Sequence, residues 1–132
     1  MQPIPYVFLK DTARAAFTFW GEVFGATPEI MPAGDMFPDN PEGVMHAALK
    51  VGDGWIYGSD DLSGNPVAPM AGCNIHVSFP TVEEARAAFD KLSQGGEIRM
   101  PLEKSFWAPA FGTLSDRFGV RWMVSADASE TS

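Results

Sequence analysis

The sequence predicts an α+β fold of two βαβββ units, with curled mixed sheets that form a cleft and helices on the outside. Three observations support this fold class. The pentapeptide ARAAF occurs at positions 13–17 and again at 85–89 of the 132-residue chain. Each copy lies within an amphipathic helical pattern. Each pattern is preceded by one strand-like run and followed by three, so one structural unit is used twice.

The elements of the first unit follow from local patterns. A strand is predicted in the run IPYVFL at 4–9, where apolar and aromatic residues dominate. A helix follows, because apolar or small residues recur at helical spacing from 13 to 24 before a glycine stop. Asp11 or Thr12 can cap its start. The other strands are predicted at 28–32, 44–51 and 55–60, the last two joined by the hairpin signal GDG.

The second unit repeats this order. Thr81 and Glu84 form a capping-box pattern at the start of its helix, which ends before a pair of glycines. In both helices the two outer alanines and the phenylalanine of ARAAF are predicted to face the core, whereas Arg14 and Arg86 face solvent. The strands are predicted at 74–79, 96–101, 111–116 and 120–127.

The domain organisation follows from these elements. Residues 1–132 are expected to form a single domain, because the length and a hydrophobic content of 45% are typical of one globular core. Unit one is expected at 1–62, a Gly- and Pro-rich linker at 63–72 and unit two at 73–127. The small polar residues 128–132 are expected to fray as a tail.

The charge balance excludes several classes of partner. A net charge of -8, from 17 acidic and 9 basic residues, argues against nucleic acid and against anionic membrane surfaces. The chain has neither a signal-peptide pattern nor an apolar run of roughly 20 residues, so a cytoplasmic location is expected. The single cysteine, Cys73, excludes an internal disulfide and is predicted to be a buried small residue.

Four stretches of the sequence have residue patterns typical of a known family: 15–25, 45–61, 76–92 and 106–125. The last is the most specific, with Phe106-Trp107, Phe111-Gly112 and the run from Asp116 to Trp122. The chain thereby resembles the vicinal oxygen chelate superfamily of glyoxalases, bleomycin-resistance proteins and dioxygenases, and within it the PhnB-like branch. This branch is often labelled demethylubiquinone methyltransferase-like. The resemblance implies a glyoxalase/bleomycin resistance/dihydroxybiphenyl dioxygenase-like fold, commonly a homodimer.

The resemblance also implies a divalent-metal site, whose ligands come from the first and last strands of each unit and are usually His and Glu. In this chain the corresponding positions hold Pro5 or Tyr6, Tyr57 or Ser59, Asn74 and Met123. None of these is a standard ligand. No cofactor is therefore predicted, and a divalent metal would need a different ligand set that includes His76.

A ligand pocket is predicted on the polar face of two strands. His76 alternates with Asn74 on one strand, and Arg121, a candidate anion-binding residue, alternates with Met123 on another. A large aromatic in a loop, as at Trp107, is typical of a lid, an interface or closure of the core. His46 is expected on the surface or at a strand edge. The predicted pocket residues are Asn74, His76, Trp107, Arg121, Met123 and Tyr57.

Two functions remain open at this point. The first is a protein that binds a small molecule in the inter-unit cleft without the standard metal site, as bleomycin-resistance proteins work by sequestration alone. The alternative is a divalent-metal-dependent lyase, isomerase or dioxygenase with a non-standard ligand set that uses His76. Whether the chain is an enzyme is left open. Methyl transfer ranks last, because no dinucleotide fingerprint or other motif would bind the cofactor.

Overall fold

A computed structural model of the chain describes residues 1–127, and the predicted tail at 128–132 lies outside the described residues. The structure confirms the predicted α+β class with two βαβββ units. The chain divides into one compact unit of Met1–Ala68 and a second that begins at Pro69. This division falls inside the predicted linker at 63–72. That the two units make a single domain stays a prediction.

The first unit contains a four-stranded sheet and one long helix. Its elements are β1 (Tyr6–Leu9), α1 (Ala13–Phe24), β2 (Glu29–Pro32), β3 (Val44–Val51) and β4 (Gly54–Asp60), with a 3-10 turn at Gly34–Met36. The strand order is β1-β4-β3-β2, with β1 parallel to β4 and the other pairs antiparallel. Helix α1 packs against β3 and β4. Gly25 ends α1 in the left-handed conformation at φ 69°, as the glycine stop predicts.

The second unit has the same architecture. Its elements are β5 (Ile75–Phe79), α2 (Val82–Ser93), β6 (Glu97–Glu103), β7 (Phe111–Ser115) and β8 (Arg121–Ala126). The strand order is β5-β8-β7-β6, with β5 parallel to β8. Helix α2 contacts all four strands. In each unit the helix therefore covers one face of the sheet, and the side chains that alternate with the buried ones form the opposite face.

Both copies of ARAAF have the structural role that the repeat predicts. The outer alanines of each copy are buried, and so are Phe17 and Phe89, whereas both arginines are exposed. Each phenylalanine ring lies against a strand glycine of its own sheet. A Cβ added at Gly58 or at Gly112 would come within 2.8 Å of that ring. The glycine belongs to β4 in the first unit and to β7 in the second, so the close packing is repeated on a different strand.

The core of each unit lies between the helix and the sheet. Trp20 is fully buried in the first unit and Trp122 in the second. Asp116 is buried as well, and its carboxylate accepts hydrogen bonds from the Val120 N–H and from the indole N–H of Trp122.

Both α-helices have 12 residues. No helix in the described part of the chain is long and apolar enough to cross a membrane.

Helix α1 begins differently from the prediction. Thr12 occupies its N-cap position but makes no side-chain cap hydrogen bond, so the prediction of a local cap from Asp11 or Thr12 is wrong. The carboxylate of Asp60 instead accepts the Ala13 N–H at 2.9 Å. Asp60 lies 47 residues from the helix start and also accepts the Val44 N–H at 2.9 Å. A buried carboxylate from the end of β4 therefore satisfies one backbone N–H in the first turn of α1.

Helix α2 begins as predicted. The hydroxyl of Thr81 accepts the Glu84 N–H at 3.1 Å and donates to the Glu84 carboxylate at 3.0 Å. One hydroxyl thus satisfies a backbone donor in the first turn and holds the acidic side chain close to the positive end of the helix.

Replacing Thr81 by Ala is expected to lower the free energy of unfolding by about 1 kcal/mol, because the cap hydrogen bond is lost. The matched control is Thr12→Ala, at the same position of α1, where no cap hydrogen bond exists. Urea denaturation followed by circular dichroism measures both variants. Equal losses in the two variants would contradict the difference in capping.

Candidate functional site

The face of the second sheet opposite α2 carries the candidate functional side chains. His76 is the partner of Met123 and Ser78 of Ser125 in the parallel pairing of β5 with β8. Side chains of paired residues share a face, so these four lie together. The alternate residues Ile75 and Trp122 are buried on the other face. The polar strand face predicted from the sequence is therefore formed by two neighbouring strands.

A cavity of about 380 Å³ opens on this face, and we refer to it as the second-unit cavity. Its lining residues are Gly72, Cys73, Asn74, His76, Arg121 and Met123. Four of the six predicted pocket residues therefore lie around one cavity. The segment before β5 is held beside β8 by a hydrogen bond from the Arg121 N–H to the sulfur of Met70 at 3.4 Å.

His76 begins a chain of hydrogen bonds that ends at a carboxylate. Its Nε2 lies 2.9 Å from the Ser125 hydroxyl, which donates to the Ser78 hydroxyl at 3.3 Å. Ser78 in turn donates to the carboxylate of Asp127. An ionised carboxylate only accepts hydrogen bonds, so this direction requires Nε2 of His76 to donate to Ser125. A neutral His76 then has its lone pair on Nδ1, which can accept a hydrogen bond or a proton.

Arg121 is the cation of the second-unit cavity. Its Nε atom is buried and has no hydrogen-bond partner among residues 1–127. No carboxylate is among the described residues that line the cavity. The guanidinium therefore has a buried donor that no described residue uses.

Cys73 differs from its predicted place. The sequence predicts a buried residue, but the side chain is exposed, because burial begins only with Ile75 at the start of β5. Its sulfur lies 3.9 Å from the Asn74 carbonyl oxygen. The free thiol is therefore a surface group at the edge of the second-unit cavity.

Two predicted pocket residues do not line the second-unit cavity. Trp107 has 45% of its surface exposed, and its ring packs edge-on against Phe111 with centroids 4.5 Å apart. Tyr57 belongs to the first unit, where its ring centroid lies 5.0 Å from that of His46. The roles of Trp107 and Tyr57 in ligand binding stay predictions.

The first sheet has an aromatic face opposite α1. Tyr6 and Phe8 are exposed here by 42% and 57%. The Tyr6 hydroxyl lies 3.3 Å from Nδ1 of His46. His46 does not lie at a strand edge, because β3 is an interior strand of its sheet. The residues of this aromatic face are Tyr6, Phe8, His46, Trp55 and Tyr57.

The sequence missed the aromatic face as a candidate site. Alternating aromatics at 6 and 8 and again at 55 and 57 were the available signal. Alternation shows which residues of one strand share a face, but it does not show which strands are neighbours. The pairing of Tyr6 with Tyr57 in the parallel β1–β4 ladder supplies that information.

The positions that correspond to metal ligands do not fit the metal site that the resemblance implies. Their side chains offer phenol, hydroxyl, amide and thioether groups in place of imidazole and carboxylate, the usual donors for divalent cations. Residues 1–127 contain no group of three or more His, Cys, Asp or Glu side chains placed to hold a metal ion.

Comparison with known proteins gives the family of this chain and a protein of similar sequence. A family model described as the Glyoxalase/Bleomycin resistance protein/Dioxygenase superfamily matches residues 5–124. Protein YjdN of Escherichia coli (strain K12) is 34% identical over 97 residues, which are 74% of this chain and 64% of YjdN. The match thus spans less than two thirds of that relative's length.

Two solved structures resemble the chain along nearly all of its length. Protein PA1353 from Pseudomonas aeruginosa is 36% identical with a TM-score of 0.88, over 96% of this chain and 98% of that one. The PhnB protein from Bacillus cereus is 23% identical with a TM-score of 0.83, over 96% and 100% of the two chains. At that identity the second structure shows the shared fold alone.

Proposed function

The chain belongs to the glyoxalase/bleomycin resistance protein/dioxygenase superfamily, and from this premise we propose that it binds a small molecule in the second-unit cavity without the usual metal ligands. One observation carries the proposal. Asn74, His76, Arg121 and Met123, which the sequence pattern selects, surround one cavity of about 380 Å³. Small-molecule sites typically have this size and combine apolar walls with a few polar groups.

Each lining side chain has a distinct capacity for binding. Arg121 offers a cation, and the Asn74 amide offers both a donor and an acceptor. His76 is oriented by its hydrogen bond to Ser125, which leaves Nδ1 for a ligand. Met123 supplies an adaptable apolar wall. Together these groups favour a ligand with one polar end and one apolar end, which the protein binds without a chemical reaction.

The alternative is a metal-dependent lyase, isomerase or dioxygenase that uses His76. The hydrogen-bond chain counts against it, because Nε2 of His76 is occupied by Ser125 and the nearest carboxylate of that chain, Asp127, is bonded to Ser78. A metal ion would have to bind Nδ1 with ligands of another kind. The homodimer and the cytoplasmic location expected from the sequence stay predictions.

Metal analysis and thermal shift together test the proposed function. Protein purified without a histidine tag is expected to hold less than stoichiometric metal, both as wild type and as His76→Ala. In a panel of small molecules, at least one compound is expected to raise the melting temperature of the wild type and not of His76→Ala. His46→Ala, which removes the other histidine, is the control and should respond like the wild type.

Two outcomes would contradict the proposal. Stoichiometric Zn, Fe, Mn or Ni in the wild type that disappears in His76→Ala would favour the metal-dependent enzyme instead. A panel in which no compound stabilises the wild type would contradict small-molecule binding itself.

A further inference from the structure

We propose that the ligand of the second-unit cavity is an organic oxyanion, a small molecule whose carboxylate or phosphate group is held by the guanidinium of Arg121. This inference rests on the proposed function and adds the charge class of the ligand. The observation behind it is the buried Nε of Arg121, which has no hydrogen-bond partner in the described part of the chain.

An unused buried donor on arginine points to a partner from outside the chain. The guanidinium remains charged at all ordinary pH values and carries five N–H donors in a fixed plane. Buried donors in folded proteins are almost always bonded, because an unpaired one loses its hydration without compensation. A carboxylate or phosphate matches the fork of the guanidinium and gives stronger bonds than a neutral acceptor.

The other arginines of the second unit show that Arg121 is a special case. Arg86 donates to the Leu102 carbonyl at 3.1 Å, and Arg117 donates through Nε to the Gln94 carbonyl at 3.1 Å. Arg99 donates through Nε to the Ser115 hydroxyl at 2.9 Å and lies 3.9 Å from the Glu97 carboxylate. These three guanidinium groups have partners within the chain. Arg121, by contrast, lines the second-unit cavity and has a buried Nε without a partner among residues 1–127.

The charge distribution favours an anion at this place and an organic one. The chain carries a net charge of -8, so most of its surface repels anions. Among residues 1–127, those that line the second-unit cavity beside Arg121 are uncharged or histidine, and none is acidic. Met123 lies two residues from Arg121 on the same strand face, so it can contact an apolar part of the ligand.

Nitrogen-15 NMR of the full chain tests the proposal directly, because the Arg121 Nε–H is itself observable. The probes are benzoate, phenyl phosphate and acetate, with benzamide as the neutral counterpart of benzoate and sodium chloride as the ionic-strength control. We expect benzoate and phenyl phosphate to shift the Arg121 Nε–H and the backbone N–H of Asn74 and Met123. Benzamide is expected to bind roughly tenfold more weakly or worse, since it lacks a charge-assisted hydrogen bond.

Three variants assign the effect to the guanidinium. Arg121→Gln is expected to weaken benzoate binding by about tenfold or more, and Arg121→Lys, which keeps the charge without the fork, by an intermediate factor. The control is Lys91→Gln, which removes the same charge from the last turn of α2 on the opposite face of the sheet. Its affinity for benzoate should equal that of the wild type. If Arg121→Gln does not fold, the wild-type Nε–H shift and the comparison with benzamide still decide the question.

The possible failures are distinguishable. Equal binding of benzoate and benzamide, unchanged in Arg121→Gln, would overturn the anion assignment and leave the proposed small-molecule function in place. No shift with any of the anions would also overturn it, because the Arg121 guanidinium would then not hold an oxyanion. The thermal-shift panel, which contains neutral compounds as well, decides the proposed function separately.

Discussion

Replacing Asp116 by Ala is expected to lower the free energy of unfolding by about 3–5 kcal/mol, because two buried donors and one part-buried donor lose a charged acceptor. One carboxylate oxygen accepts the Phe118 N–H at 2.9 Å and the Val120 N–H at 3.0 Å. The other accepts the indole N–H of Trp122 at 2.9 Å. Both Val120 and Trp122 are fully buried, so water cannot replace these bonds without opening the core.

The control for this prediction is Asp53→Ala. Asp53 lies in the exposed turn between β3 and β4, so the same chemical change removes a surface carboxylate from the corresponding hairpin of the first unit. Its effect is expected to stay within about 0.5 kcal/mol. Urea unfolding gives both free energies, and hydrogen exchange of the Trp122 indole N–H reports the local loss. Similar losses in the two variants would show that Asp116 acts only as a turn residue.

Asp116 also shows how far the sequence can predict such a role. The hairpin pattern from Asp116 to Gly119 predicts a turn-forming carboxylate, and the structure confirms that part. The bond to the Trp122 indole depends on how the side chain returns from β8, which a local pattern does not contain. The same limit applies to α1, because its first N–H is bonded to Asp60, which lies 47 residues away in the sequence. Local partners are predictable from spacing, whereas distant partners require the tertiary structure.

The candidate site shows the same difference between what a local pattern predicts and what requires the tertiary structure. Alternation along β5 and β8 is local, and it correctly places His76 on the face opposite Ile75 and Arg121 on the face opposite Trp122. Only the strand register, in which His76 pairs with Met123, shows that His76 and Arg121 lie on the same face of the sheet. The exposure of Cys73 depends on where β5 begins, and strand ends are poorly specified by sequence.

Replacing Gly58 by Ala is expected to lower the free energy of unfolding by about 2–3 kcal/mol, because the added methyl group overpacks the core of the first unit. Its Cβ would lie 2.7 Å from the Val7 carbonyl oxygen and 2.8 Å from the Phe17 ring. Val7 belongs to β1, which pairs in parallel with β4 at this point, so the carbonyl cannot move without disturbing the ladder. The ring is fully buried, and because protein cores are close-packed we expect it to have little room to move.

Gly54→Ala is the matched control, because Gly54 begins the same strand. There an added Cβ would meet only the Val51 carbonyl oxygen, at 3.7 Å, which is ordinary contact. The free energy of unfolding should change by no more than about 0.5 kcal/mol. Urea denaturation of both variants provides the comparison, and equal losses would mean that glycine is needed in β4 for reasons other than space.

A double-mutant cycle with Phe17→Leu then tests whether the ring itself requires the glycine. Phe17→Leu should destabilise the wild type, yet cost less in the Gly58→Ala background, with a coupling of about 1 kcal/mol between the two sites. Leucine is smaller than phenylalanine, so in the Phe17→Leu variant the side chain leaves room for the methyl group that Gly58→Ala adds. Additive losses would place the clash at the Val7 carbonyl alone. A positive coupling would explain why the phenylalanine of ARAAF and a strand glycine occur together in both units.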